Sequence, residues 1–84
     1  MIMGLELINW LKDGKYRIKI LGILSKRSLL SSELAQELGI NRASMSRILK
    51  TMKLKGVITS TTSKSRTVTY SIARKGKELM GRLK

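Results

Sequence analysis

The stretch from residue 31 to residue 58 limits the possible folds of this chain more than any other part of its sequence. Apolar residues recur there at helical spacing on both sides of Gly39. They are Leu34, Ala35 and Leu38 before the glycine, and Met45, Leu49 and Met52 after it. Glycine ends a helix readily because it adopts the left-handed conformation without steric cost. The pattern therefore predicts two helices joined by a tight turn, followed by a strand that begins at Val57.

The predicted ends of these two helices carry residues that cap helices well. Either Ser31 or Ser32 can cap the first helix, and Glu33 lies in its first turn, where the helix dipole favours a carboxylate. Asn41 can cap the second helix in the same way. Together with the short turn between them, these signals predict a helix-turn-helix over residues 31–54.

The predicted outward face of the second helix carries cations and hydroxyl groups and no acid. Its residues are Arg42, Ser44, Ser46, Arg47, Lys50 and Thr51. Arg42, Ser44 and Arg47 are the candidates for reading DNA base edges, because arginine bonds to guanine in two places and serine bonds to several edges. Ser46, Lys50 and Thr51 are candidates for backbone phosphates, although the hydroxyl groups of Ser46 and Thr51 could instead bond to their own helix backbone.

The run from Ser32 to Lys50, SELAQELGINRASMSRILK, is followed by the run KGVI at residues 55–58. Together they resemble the winged helix-turn-helix superfamily. The likeness is greatest to its prokaryotic and archaeal transcription regulators of the multiple-antibiotic-resistance and arsenic-resistance types. In that superfamily the second helix of the motif enters the major groove of DNA. The resemblance therefore implies a recognition helix over residues 42–54 and a β-hairpin wing that contacts the adjacent minor groove or its phosphates.

Residues 57–72 are predicted to form that β-hairpin. Apolar residues alternate with polar ones in its second half, as is typical of a half-buried strand, at Val68, Tyr70 and Ile72. The polar tip, residues 59–67, contains no acid and lacks the Asn-Gly or Asp-Gly pair that would indicate a turn type. Lys64 and Arg66 in this tip are further candidates for DNA contacts.

The segments on either side of the motif predict further elements. Residues 1–12 favour a short amphipathic helix, and residues 15–25 favour a helix that is apolar almost all round and therefore central in the fold. Gly22, inside that second helix, indicates the close approach of a neighbouring helix. Residues 29–30 predict a very short strand, and residues 73–84 predict a last helix.

The N-terminal helix has two interpretations. It either covers the core of its own chain or forms an arm that holds two chains together. We favour the dimer arm, because the segment offers more apolar surface than one small core needs. The candidate dimer contacts are Met3, Leu7, Trp10, Leu11, Met80 and Leu83.

An excess of positive charge indicates a polyanionic partner. The chain has 18 Lys and Arg residues against 5 Asp and Glu residues, a net charge of +13. Such a charge repels itself in a compact fold, so nucleic acid is the leading partner and an anionic membrane surface the second. Between Arg42 and Lys77, Tyr70 is the one ionisable residue that is not basic. Weaker candidates for phosphate contacts, including the N-terminus of the first motif helix, are Ser31, Ser32, Lys26, Arg27 and Lys53.

Residue types that the sequence lacks argue against several classes of function. Because the chain has no Cys and no His, a transition-metal site, a cysteine nucleophile and a histidine base are not expected. Its acids form no convergent cluster and its glycines form no phosphate loop, so we expect no enzyme, no cofactor and no metal. No apolar run approaches the roughly 20 residues of a membrane-spanning helix, and no basic region precedes the apolar N-terminus. We expect no membrane association and a cytoplasmic, nucleoid-associated protein.

The predicted fold class is α+β and mainly helical. It is a winged helix-turn-helix, with a three-helix core, a small β-hairpin wing and extra N- and C-terminal helices, in a single domain over residues 1–84. The predicted function is sequence-specific binding of double-stranded DNA by a transcription regulator that acts as a homodimer. Two alternatives stay open: a non-specific, architectural DNA-binding protein, and a winged-helix module that contacts protein or RNA. The dependence of affinity on DNA sequence and on salt separates the DNA-binding alternatives.

Overall fold

The computed structural model describes residues 2–83, with the side chains of residues 5–83. Within that range five helices and three strands follow one another as the sequence predicts. They are α1 (Ile2–Asp13), α2 (Arg17–Leu24), β1 (Leu29–Leu30), α3 (Ser31–Leu38), α4 (Arg42–Leu54), β2 (Ile58–Thr62), β3 (Val68–Ile72) and α5 (Arg74–Leu83). The predicted winged helix-turn-helix is confirmed, since α3 and α4 form the motif and β2 and β3 form the wing.

The sheet is antiparallel, with the strand order β1-β3-β2. Leu29 of β1 pairs with Tyr70 of β3, while Ile58 of β2 pairs with Ile72 at the base of the hairpin. The very short predicted strand β1 is therefore confirmed. Because β1 leads directly into α3, this pairing attaches the wing to the helix-turn-helix.

One apolar core joins the helices to the base of the sheet. Its fully buried side chains include those predicted for the inner face of α4 together with residues of α1, α2, α3 and β2: Leu11, Ile20, Leu21, Leu34, Met45, Leu49, Met52, Val57 and Ile58. Ile48, the next residue on the same side of α4, is half-buried. The prediction that α4 is amphipathic is therefore confirmed.

The close approach predicted at Gly22 of α2 is wrong. A Cβ atom added to Gly22 would meet only Met80 Cε, at the ordinary contact distance of 3.9 Å. The glycine that packs tightly against the backbone of another element is Gly76 in α5, where an added Cβ would lie 2.3 Å from the carbonyl oxygen of Val57. Helix propensity identifies a costly glycine, but only the tertiary packing shows which glycine the neighbours require.

Two of the three predicted caps and turns are confirmed. The side-chain oxygen of Asn41 accepts a hydrogen bond from the Ser44 backbone N–H at 2.8 Å, and Gly39 ends α3 in the left-handed conformation with φ of 67°. The predicted serine cap of α3 is wrong. Leu30 occupies the cap position, and the Glu33 carboxylate accepts a hydrogen bond from the Leu30 N–H at 2.8 Å.

Helix α1 packs against α2 and α5 of its own chain. Leu11 is fully buried in that packing, so it has no surface for a partner and is corrected from dimer candidate to core residue. Half-buried positions are taken by Leu7, Trp10, Met80 and Leu83. Leu5, one turn from the start of α1, is 61% exposed. The side chain of Met3, another predicted dimer contact, lies outside the described residues.

An arginine at the start of α2 holds the end of α1. The Arg17 guanidinium lies 4.0 Å from the centre of the Trp10 ring and donates a hydrogen bond to the Trp10 carbonyl oxygen. That carbonyl is among the last four of α1, which lack partners within the helix. The contact therefore both caps α1 and fixes its angle to α2.

Candidate nucleic-acid interface

The exposed face of α4 presents the cations that the sequence predicts. Helix geometry advances each residue by about 100°, which places Arg47 about 160° from the fully buried Met45 and Leu49, with Lys50 beside it on the outward half of the helix. Both cations are exposed. The remaining candidates on this helix flank that pair, and all are exposed except the half-buried Ser44: Arg42, Ser44, Ser46, Thr51 and Lys53.

Acids are kept away from this surface. The sequence has none between Arg42 and Lys77. The two acids of α3 are held in local bonds, since Glu33 accepts from Leu30 and Glu37 accepts from the Arg27 guanidinium at 2.6 Å. The electrostatic field in front of α4 is therefore positive, as a surface that binds a polyanion requires.

The hydroxyl groups on α4 are not equally available. Thr51 Oγ1 donates to the carbonyl oxygen of Arg47 at 3.0 Å, so its proton is used within the helix. Ser46 is exposed and has no such bond among the described contacts. Of the two alternatives predicted for these hydroxyls, the helix-backbone bond is found at Thr51, which leaves Ser46 as the better candidate for a phosphate contact.

The tip of the wing is a three-residue loop, Lys64-Ser65-Arg66. The Arg66 N–H donates to the Ser63 carbonyl oxygen at 3.0 Å, and the Ser63 N–H donates to the Thr67 carbonyl oxygen at 2.9 Å. Arg66 has φ of 65° and is the one non-glycine residue with positive φ among those described. This is a hairpin loop whose last position is normally glycine. An arginine kept in that conformation is a candidate functional residue.

Replacement of Arg66 separates the strain of this loop from its charge. We expect Arg66→Gly to leave the free energy of unfolding unchanged or to raise it by up to about 1 kcal/mol, because glycine has no steric cost at positive φ. Arg66→Ala keeps the backbone cost and should not be more stable than the wild type. Both variants lose the guanidinium and should lose DNA affinity equally, by roughly 5- to 10-fold. Urea unfolding and a fluorescence-anisotropy titration measure the two effects, and unequal affinity losses would contradict the role of the charge.

The weaker candidates lie in three places. Ser31 and Ser32 are half-buried at the start of α3, and Lys53 is exposed near the end of α4. Lys26 and Arg27 lie in the α2–β1 turn, beside the base of the sheet. The structure therefore does not bring Lys26 and Arg27 together with the wing tip, and the guanidinium of Arg27 is already paired with an acid.

Two lysines that are not among the predicted site residues lie near the C-terminal end of α4. Lys55 Nζ lies 5.6 Å from the centre of the Trp10 ring, and Lys75 Nζ lies 3.8 Å from the position of a Cβ atom at Gly56. Both contacts join residues far apart in the chain. No local pattern could have indicated them.

The described residues contain no group of three or more His, Cys, Asp or Glu side chains placed to hold a metal ion. Over the same residues, every helix is too short or too polar to traverse a lipid bilayer.

Comparison with known proteins finds one matching family model and several solved structures that share this fold. Residues 17–66 match the family model described as MarR family. The adhesin competence repressor (AdcR) from Streptococcus pyogenes superposes with a TM-score of 0.76 at 20% identity, over 82% of this chain and 53% of that chain. The transcriptional regulator BldR from Sulfolobus solfataricus superposes with a TM-score of 0.71 at 18% identity, over 77% of this chain and 48% of that chain. The protein ytcD, described as an HTH-type transcriptional regulator, superposes with a TM-score of 0.78 at 26% identity, over 83% of this chain and 74% of that chain.

The chain spans about half the length of AdcR and BldR. None of the curated protein sequences compared with it matches significantly.

Proposed function

This chain belongs to the MarR family, and from that premise we propose that it is a transcription regulator that binds double-stranded DNA in a sequence-specific way. In the proposed complex α4 lies in the major groove, and the wing contacts the adjacent minor groove or its phosphates. The observation that carries the proposal is the exposure of Arg47 and Lys50 on the outward half of α4, away from its fully buried residues. In this proposal the protein has no catalytic activity and is located in the cytoplasm, with the nucleoid.

The individual contacts are proposed from side-chain chemistry. Arg42 and Arg47 would read base edges, because a guanidinium bonds to guanine O6 and N7 together. Lys50 and Ser46 would bind backbone phosphates, which fix the register of the protein on the duplex. Arg66 would reach the minor groove from the wing tip.

We propose further that the protein acts as a homodimer. Helix α1 covers its own core and still leaves Leu5 61% exposed. The half-buried Leu7, Trp10 and Leu83 would continue that apolar surface. Met80, the remaining candidate on α5, faces Gly22 of α2 beside a groove and is not part of the proposed dimer surface. A two-fold axis near these helices would set the two copies of α4 about 34 Å apart, one turn of duplex DNA.

Selection of bound sequences from random duplex DNA tests specificity and symmetry together. We expect a motif with two-fold symmetry and half-sites one helical turn apart. A single unrepeated motif would contradict the dimer and leave sequence-specific binding intact. Selected pools without any motif would favour the alternative of a non-specific DNA-binding protein.

The dependence of affinity on salt tests the electrostatic part of the proposal. If six to eight phosphates are neutralised, the logarithm of the binding constant should fall with the logarithm of salt concentration at a slope of roughly −5 to −7. Anisotropy titrations between low and moderate salt measure this slope. A slope near zero would contradict both DNA-binding functions.

A further inference from the structure

A groove on the face formed by α2, α3 and α5 has no part in the proposed DNA contacts. It has a volume of about 780 Å³, and its apolar floor consists of Ile23, Leu38 and Met80. A smaller cavity of about 200 Å³ lies beside it, since residues 25–27 line both spaces. The larger space has an apolar floor and the smaller one a polar lining, so the two neighbouring spaces differ in the chemistry that they would bind.

The smaller cavity is lined by hydroxyl groups and cations. Ser28 Oγ lies 2.6 Å from Ser71 Oγ, so the α2–β1 turn is bridged to β3. In such a pair one hydroxyl donates to the other, and the accepting hydroxyl keeps its own proton for an outside acceptor. Lys26 and Lys77 line the same cavity. We call these four residues the phosphate end of the groove.

The one acid that lines the groove is already bonded. Glu37 accepts from Arg27 at 2.6 Å, and this is the one ion pair in the part of the chain whose side chains the structure describes. Lys26 and Lys77 therefore have no acidic partner there. In a chain with a net charge of +13, an anion bound between two such lysines relieves repulsion.

We propose that the groove binds a small phosphate ester. Its dianionic phosphate lies at the phosphate end, where ammonium groups and a hydroxyl proton form charge-assisted hydrogen bonds. Its apolar portion covers the apolar floor, which a bare phosphate ion would leave in water. The proposal does not depend on the proposed DNA-binding function.

A second DNA duplex fits this surface less well than a small ester. The phosphate end is an open recess of about 200 Å³, room for one phosphate group, whereas a duplex presents a long row of phosphates that requires a longer row of cations. Ser71 lies near the base of the hairpin, three residues along β3 from Val68, so about 10 Å of strand separates the phosphate end from the start of the tip. The site is therefore separate from the surface that would contact the operator.

Titration of the full chain with phenyl phosphate and with inorganic phosphate, followed by two-dimensional ¹H–¹⁵N NMR, tests the proposal. We expect phenyl phosphate to shift the amide signals of Ser28, Ser71 and Ile23 and to bind at least about tenfold more tightly than inorganic phosphate. The variant Lys26→Ala/Lys77→Ala should bind phenyl phosphate at least about tenfold more weakly. Ser71→Val, which keeps a residue suited to a strand, should also weaken binding.

The matched control is Lys12→Ala/Lys15→Ala. It removes the same charge from two exposed lysines that do not line the groove, and its affinity for phenyl phosphate should stay within about twofold of the wild type. An equal loss in the control would overturn the proposal, because it would show only general attraction of an anion to a basic protein. Equal affinities for the two phosphates would overturn the role of the apolar floor. If Lys26→Ala/Lys77→Ala lost operator affinity as strongly as variants of α4, the groove would belong to the DNA interface instead.

Discussion

The free energy of unfolding should fall by about 2–4 kcal/mol when Gly76 is replaced by alanine. An added Cβ atom would lie 2.3 Å from the Val57 carbonyl oxygen and 2.9 Å from Ile72 Cγ1. The Val57 oxygen is backbone, and it already accepts a hydrogen bond from the Ala73 N–H at 3.0 Å. The first turn of α5 must therefore move away from the sheet, which weakens that bond and opens the core.

Gly81→Ala is the matched control in the same helix. Gly81 is exposed, and an added Cβ atom there would have no atom within 4 Å. Alanine should therefore raise the free energy of unfolding by about 0.5–1 kcal/mol through helix propensity alone. Thermal unfolding followed by circular dichroism measures both variants, and the Gly76 variant should lose roughly 10–20 °C in Tm. If both alanines stabilised the protein, the close contact between α5 and the base of the wing would be refuted.

The parts of the fold that sequence alone predicts are those fixed by neighbours within one helical turn. Asn41 caps α4 and Gly39 ends α3 because each acts on backbone groups three or four residues away. The buried face of α4 follows from a period of 3.6 residues, since Met45 and Leu49 both have no exposed surface. Local chemistry therefore predicts the helix-turn-helix almost completely.

Of the features that sequence alone predicts wrongly, two depend on contacts between distant residues and one depends on the exact residue at which a helix begins. Glu33 caps α3, because β1 runs without a break into the helix and the Leu30 N–H donates to the Glu33 carboxylate. Close approach belongs to Gly76 and not to Gly22, because the start of α5 packs on the base of β2. Leu11 is a core residue because α1 folds back on its own chain. The contacts of Gly76 and Leu11 leave no signal in local propensity, because they join distant parts of the chain.

The proposed DNA-contacting surface shows the same division. The exposure of Arg47 and Lys50 follows from helix periodicity, so both could be chosen from the sequence. The conformation of Arg66 could not be predicted, because the wing tip has no Asn-Gly or Asp-Gly pair that would indicate its turn type. The phosphate end of the groove depends on the register between β1 and β3, which places Ser28 beside Ser71.

The variant Arg47→Ala/Lys50→Ala should bind its selected operator about 100-fold more weakly than the wild type. Both side chains are exposed on the outward half of α4, so the free energy of unfolding should change by no more than about 0.5 kcal/mol. The loss in affinity would then come from the interface and not from unfolding. Lys12→Ala/Lys15→Ala, with the same change in net charge, should retain operator affinity within a few-fold.

The two single variants assign different roles to the two cations. Arg47→Ala should weaken binding to the selected operator more than binding to random duplex, because a base-reading arginine contributes about 1–3 kcal/mol of discrimination. Lys50→Ala should weaken binding to both DNAs equally and reduce the salt slope by about 1, because a phosphate contact carries no sequence information. Anisotropy titrations with both DNAs at several salt concentrations separate these outcomes. Wild-type affinity in the double variant would show that α4 does not enter the groove, since its two most outward cations would then face water in the complex.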